Sequence, residues 1–189
     1  MRLSPLPPEA LGPELRGVHD KIVELVTRGQ PQIIAQDERG ALIGPFPAML
    51  HFPQFGVPAL SFIAATSSHA HLPAKVRETA ILTVGSSFGA RYEIYAHEIM
   101  GKVAGLSSSQ IATLAAGGRP ADLGEAEAIA HDVTRALAGG QILPASTYAR
   151  AVEILGRDGL AELVFLISGY AVIAMLLNCY DVPVPDADR

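Results

Sequence analysis

Apolar residues along this 189-residue chain recur mostly at helical spacing. Over 9–28, Leu11, Leu15, Val18, Ile22 and Leu25 fall on one stripe of a 3.6-residue period, and Gly29 and Pro31 end it. The prolines from Pro31 to Pro58, within GPFPAML and HFPQFG, forbid long regular elements, so a surface-wrapping connection with short helical turns is expected there. Helix resumes over 60–68. Pro73 then opens another helix at its first position, with Val76, Ala80, Thr83, Val84 and Ser87 on one face. Gly89 interrupts it, and a further helix over 90–104 stops at Gly105.

Ser107 and Gln110 form a capping box, with Leu106 and Ile111 at the two staple positions, and start a short helix to Ala116. Asp122 and Glu125 can cap the next one, whose stripe is Ala126, Ile129, Ala130, Val133 and Leu137. Helices over 145–155 and 160–180 complete the chain, and DVPVPDADR is a stop and a tail. No segment alternates with the period of a strand, and no repeat of 20–50 residues is present. The fold class read from this is all-α, a single-domain bundle of about seven or eight helices. Its parts are a helix and extended arm over 1–43, a helical domain over 44–185 and a tail over 186–189.

The last helix holds an uncharged run of 18 residues, 163–180, the crude length of a membrane span. Ser168, Gly169, Tyr170 and Asn178 interrupt it, Glu162 and Asp181 bound it, and no Lys or Arg stands close by. It reads as a helix buried in the core or between subunits. Composition fits packed helices: hydrophobic residues are 49% of the chain and Trp is absent, leaving Leu, Ile, Val and Ala to build the core. The net charge of −5, with Lys and Arg scattered, argues against nucleic acid as a partner. The opening MRLSPLPPEALGPEL lacks the apolar run of a signal peptide, and one cysteine, Cys179, fits a reducing cytoplasm.

Chemistry concentrates in Arg91-Tyr92-Glu93-Ile94-Tyr95-Ala96-His97-Glu98. Glu93 and His97 stand at i, i+4, so their side chains can meet. Tyr92, Tyr95, Ala96, Ile99 and Val103 define the buried stripe, which puts the pair at the border of the core, about 100° to 140° around from its centre. There a carboxylate can orient an imidazole while one ring nitrogen faces a cavity. A surface ion pair is the plainer reading of the same spacing.

The segment PAKVRETAILTVGSSFGARYEIYAHEIMGKVAGLS resembles the carboxymuconolactone decarboxylase family, an all-helical family that also holds the alkyl hydroperoxidase D proteins. The matching pattern is Leu72-Pro73, Arg77-Glu78, and Tyr92-Glu93 with His97 four residues on. GPFPAMLHFPQFG upstream and GLAELVFLISGYAVIAMLLNCYDVPVP at the end resemble family members too, so the likeness runs over roughly 44–185. Laying His97 on the histidine of the peroxidase branch, E-x-x-C-x-x-C-x-x-x-H, puts Ser87, Ala90 and Glu93 where its Glu and two cysteines stand. With Cys179 far away, read as an inert core residue, thiol peroxidase chemistry has no thiols to run on.

Resemblance to the decarboxylase branch implies loss of CO₂ from a lactone acid through a dienolate, with no metal or organic cofactor. It makes His97 the proton donor, Glu93 its orienting partner and Arg91 a carboxylate anchor, with Tyr95 at the substrate. The expected activity is a cofactor-free acid–base enzyme acting on a small carboxylated or lactone metabolite. The rival is a non-catalytic oligomeric binding protein on the same scaffold, or a member labelled an antioxidant without its cysteines. The resemblance also implies a trimer or hexamer. Of the remaining candidates, Glu127 and His131 read as a solvated i, i+4 pair, and His69 with His71 lacks the neighbours of a zinc site.

Overall fold

The computed structural model describes residues 1–29 and 33–185; Pro31 and the tail over 186–189 lie outside the described residues. Among the described residues the regular elements are eight α-helices and one 3-10 turn, Pro8–Ala10. The helices are α1 (Pro13–Gly29), α2 (Phe46–His51), α3 (Pro53–Ser68), α4 (Ala74–Phe88), α5 (Arg91–Val103), α6 (Ser108–Ala115), α7 (Glu125–Ala138) and α8 (Ala145–Cys179). The all-helical reading holds. α8 joins the two helices expected over 145–180, broken at Gly156, whose φ of 73° and ψ of 170° are not helical.

α4 is the central element, packed against α5, α6, α7 and α8. Every residue from 78 to 85 is buried, so the single apolar face expected of this helix is in fact a whole circumference. One core joins Val76, Ala80 and Val84 of α4 to Ile129 and Val133 of α7 and to Leu163 of α8. A second joins Met49 of α2, Tyr92 and Ala96 of α5, and Ile173 and Leu177 of α8. Between these two cores runs the α4–α5 contact.

The capping box at Ser107 and Gln110 is present, each side chain bonded to the other's backbone N–H. α7 starts instead from Gly124, without the side-chain cap expected from Asp122. The proline-rich stretch is more regular than its sequence suggests. Pro53 occupies the first turn of α3, where its missing N–H is harmless, and Pro58 is carried inside the helix.

The N-terminal segment is tied to the rest at both ends. Arg2 donates from its backbone N–H to Tyr180 O (2.8 Å) and from its guanidinium to Cys179 O (2.7 Å), capping the end of α8. Buried His19 of α1 bridges Asp20 Oδ1 (3.0 Å) and Gly40 O (2.9 Å), pinning the loop that leads to α2. α8 is long and apolar enough to cross a membrane by composition, but 44% of its most apolar 18-residue window is buried within this chain.

Candidate active site

Gly89 ends α4 in the left-handed conformation (φ 64°), and Ala90 N–H bonds back to Gly85 O at 2.9 Å. This turn sends α5 straight back along α4. Gly85 permits the close approach: a Cβ there would sit 3.1 Å from Ile94 Cγ1 and 3.5 Å from Glu93 Oε1. The first turn of α5 therefore lays the Glu93 carboxyl over the backbone of α4, and the next turn brings His97 opposite Glu78.

His97 Nδ1 lies 2.8 Å from Glu78 Oε2, with both residues buried. With the carboxylate oxygen accepting and Nδ1 donating, Nε2 is the ring nitrogen that Glu78 does not engage. Tyr170 of α8 closes the site, its ring edge-on to the imidazole with centroids 5.0 Å apart. Burial, then the negative charge of Glu78, pushes the Tyr170 phenol well above its ordinary range.

Glu93 is only 2% exposed, and neither of its carboxyl oxygens has a hydrogen-bond partner. Burial pushes this carboxyl well above the ordinary glutamate value of 4.5, so it favours the neutral acid. The Glu78 and His97 side chains retain 12% and 7% exposure, whereas the Glu93 oxygens retain essentially none. The Glu93 carboxyl is thus the most deeply buried group of the cluster, and the Glu78–His97 pair lies nearer the solvent.

An ion pair outside this cluster fixes it in place. Glu162 of α8 accepts from the backbone N–H groups of His71 (2.8 Å) and Leu72 (3.0 Å) and from the Arg77 guanidinium. Burial alone would raise its carboxyl, but those three donors outweigh it and hold Glu162 below the usual range. The bond locks the start of α4, and with it the position of Glu78, onto α8.

Of the residues expected from sequence, Glu93 and His97 lie in this cluster, but they are not bonded to each other. His97 takes Glu78, from a neighbouring helix, as its partner. Nor do they sit at the border of the core: α4 covers the flank that the stripe on α5 left open. Arg91 stands on the surface, paired with Asp181 at 3.1 Å, and does not face the cluster as an anchor. Tyr95 is half-buried against the Met49–Leu177 core and edge-on to Tyr92. Glu78 was legible only as part of the Arg-Glu of the resemblance motif. A further sign was available, since a carboxylate inside a helix buried on all sides needs a partner.

The remaining candidates also resolve. His131 is buried and bonds Asp132 at 3.0 Å, so it is not half of a solvated pair with Glu127. His69 bonds Ser68 (3.0 Å) and Ala65 O (3.2 Å). Cys179 is exposed at the end of α8 instead of packed in the core, because it lies on the outward side of the last turn, whose inward residue Leu177 is buried. A cleft of about 680 Å³ between the 34–44 loop and Val182–Pro185 is lined by Gln36, Asp37 and Ile43 among others, and none of the cluster residues lines it.

No family model matches the chain, and no curated protein matches it. Two solved structures do share its fold. The debrominase Bmp8, solved as a cysteine-to-alanine variant in complex with 2,3,4-tribromopyrrole, superposes with a TM-score of 0.75 at 14% identity, over 99% of this chain and 93% of that one. The same debrominase without ligand gives 0.74 at 13% identity, over 98% and 92%. The likeness spans both chains almost end to end and shows the shared fold. It agrees with the helical architecture that the sequence resemblance implied.

Proposed function

We propose that this chain is a cofactor-independent acid–base enzyme of the carboxymuconolactone decarboxylase-like kind, moving a proton at a carbon beside the carbonyl of a small lactone or related metabolite. The observation that carries the reading is a buried, unpartnered acid, Glu93, beside an imidazole oriented by a second carboxylate. His97 Nε2 exchanges the proton with carbon, Glu78 holds the tautomer and favours the imidazolium, and Glu93 donates a hydrogen bond to the enolate oxygen as charge develops there. A carboxyl whose burial favours the neutral acid suits that last role, because the neutral form carries the proton that the hydrogen bond needs. Arg91 lies away from the cluster, so of the carboxylated or lactone metabolite expected, the lactone is favoured.

The debrominase that shares the fold was solved with a small ring compound bound, which supports a small-molecule site in this architecture. Thiol chemistry is a poor fit here, since Ala90 and Glu93 replace the cysteine pair and Cys179 is at the far end of α8. The test is proton exchange. Small lactones and ketones incubated with the protein in D₂O should gain deuterium beside the carbonyl, followed by NMR. His97→Gln should slow that exchange by about 10²-fold or more. Equal exchange in wild type and His97→Gln would contradict the reading.

A further inference from the structure

A second cleft, of about 500 Å³, opens where the last turns of α4 and α7 meet the first turn of α8, and no residue of the Glu78–His97 cluster lines it. Asp132 and Arg135, one turn apart on α7, both stand on its wall. Their charges are answered differently. Asp132 accepts from the Arg119 guanidinium through both oxygens, at 2.7 and 3.1 Å, and from His131 Nδ1 at 3.0 Å. Arg135 meets no carboxylate among the described residues, and its guanidinium bonds only the Ser87 hydroxyl, at 3.3 Å. At the end of α7 the carbonyls of Arg135, Ala136 and Leu137 already accept from the N–H groups of Gly139, Gln141 and Gly140. They do not turn bare oxygens to the cleft.

What remains on the walls is a set of donors around one unanswered positive charge. Ser87 accepts from Arg135 and so keeps its own O–H to give. The Gln141 amide and the Thr147 hydroxyl also line the cleft, and among the described residues neither makes a hydrogen bond within the chain. We propose that this cleft is a second binding site, for a small organic acid whose single carboxylate is held by Arg135 and whose polar body meets Ser87, Gln141 and Thr147. A guanidinium keeps its charge at any working pH, and its planar fork matches a carboxylate. One such cation balances one carboxylate. A phosphate monoester would bring further negative charge beside Asp132, with no second free cation on the walls. The volume lies within the range of clefts that hold small metabolites. This site shares no residue with the acid–base cluster and does not depend on it.

Three probes of similar size test it by ligand-observed NMR titration at neutral pH and fixed ionic strength: L-lactate, its uncharged counterpart propane-1,2-diol, and methyl phosphate. Lactate should bind saturably, about tenfold or more tighter than the diol, and tighter than methyl phosphate. Arg135→Gln should weaken lactate by about tenfold or more, and Thr147→Val by a smaller factor. Arg157, an exposed arginine of α8 that also meets no carboxylate among the described residues, is the control for general surface charge. Arg157→Gln should leave lactate affinity unchanged, and so should His97→Gln. No saturable lactate binding, equal binding of the diol or tighter binding of methyl phosphate would overturn the proposal. So would equal losses in Arg135→Gln and Arg157→Gln, or a loss in His97→Gln, which would put the acid at the cluster instead.

Discussion

At the scale of single residues, Glu93 is where the fold gives up stability, because it buries an acid without a partner. An unfolded chain releases this proton near the ordinary value of 4.5, whereas burial makes the folded chain keep it. Below that pH both states are protonated and no penalty exists. As pH rises above it, only the unfolded state gains by ionising, so stability falls by about 1.4 kcal/mol per pH unit until the folded carboxyl ionises too. Glu93→Gln removes the titration. Its unfolding free energy should exceed that of wild type at pH 7 and converge with it near pH 4, measured by urea denaturation. Parallel pH profiles would contradict the burial of an unpartnered acid. Glu78→Gln is different in kind: it leaves His97 in place but loosens the tautomer, so exchange should fall, yet less than in His97→Gln.

At the scale of elements, Glu162 matters more than its position at the edge of an apolar run suggests. Glu162→Ala strands the Arg77 guanidinium and two backbone N–H groups at the start of α4, and should destabilise the protein by about 3 kcal/mol by thermal or urea unfolding. A loss under about 1 kcal/mol would mean that the pair behaves as an exposed one. Most helices were legible in the sequence for local reasons: the stripe of α1, the box that opens α6 and the glycines that end α4, α5 and α7 each act within a few residues. α3 was legible only from residue 60 onward, because prolines read as breakers; Pro53 fits the first turn, and tertiary packing on α2 and α8 carries Pro58. The site was half legible. Spacing along α5 named Glu93 and His97, but their i, i+4 relation suggested the wrong partner. The right one, Glu78, is 19 residues upstream and meets His97 only when α5 folds back on α4. No periodicity within one helix encodes that contact.

For the whole molecule, the outer face of α3 and α8 carries large apolar side chains with nothing over them in one chain. Phe165 is 58% exposed, Met175 53% and Phe55 72%, and Phe62 stacks edge-on to Phe165 with centroids 6.2 Å apart. A single chain therefore leaves the long apolar helix only partly covered, which favours self-association over this face. Light scattering at micromolar concentration should report a mass that is a multiple of 19.9 kDa. Phe165→Glu should shift it toward the monomer, as a charge in such an interface has no partner. A monomeric wild type would contradict this reading, and so would an oligomer unmoved by the substitution.

Everything proposed for the site depends on Glu93 holding its proton at working pH, and that can be measured without a substrate. Infrared spectroscopy separates the carbonyl stretch of a protonated carboxyl from the bands of carboxylates. The wild-type spectrum at pH 7 minus that of Glu93→Gln should show a protonated-carboxyl band, present in wild type and missing from the variant. A difference spectrum that shows only carboxylate bands at pH 7 would mean that Glu93 is ionised in the folded protein, and the account of the site would fail.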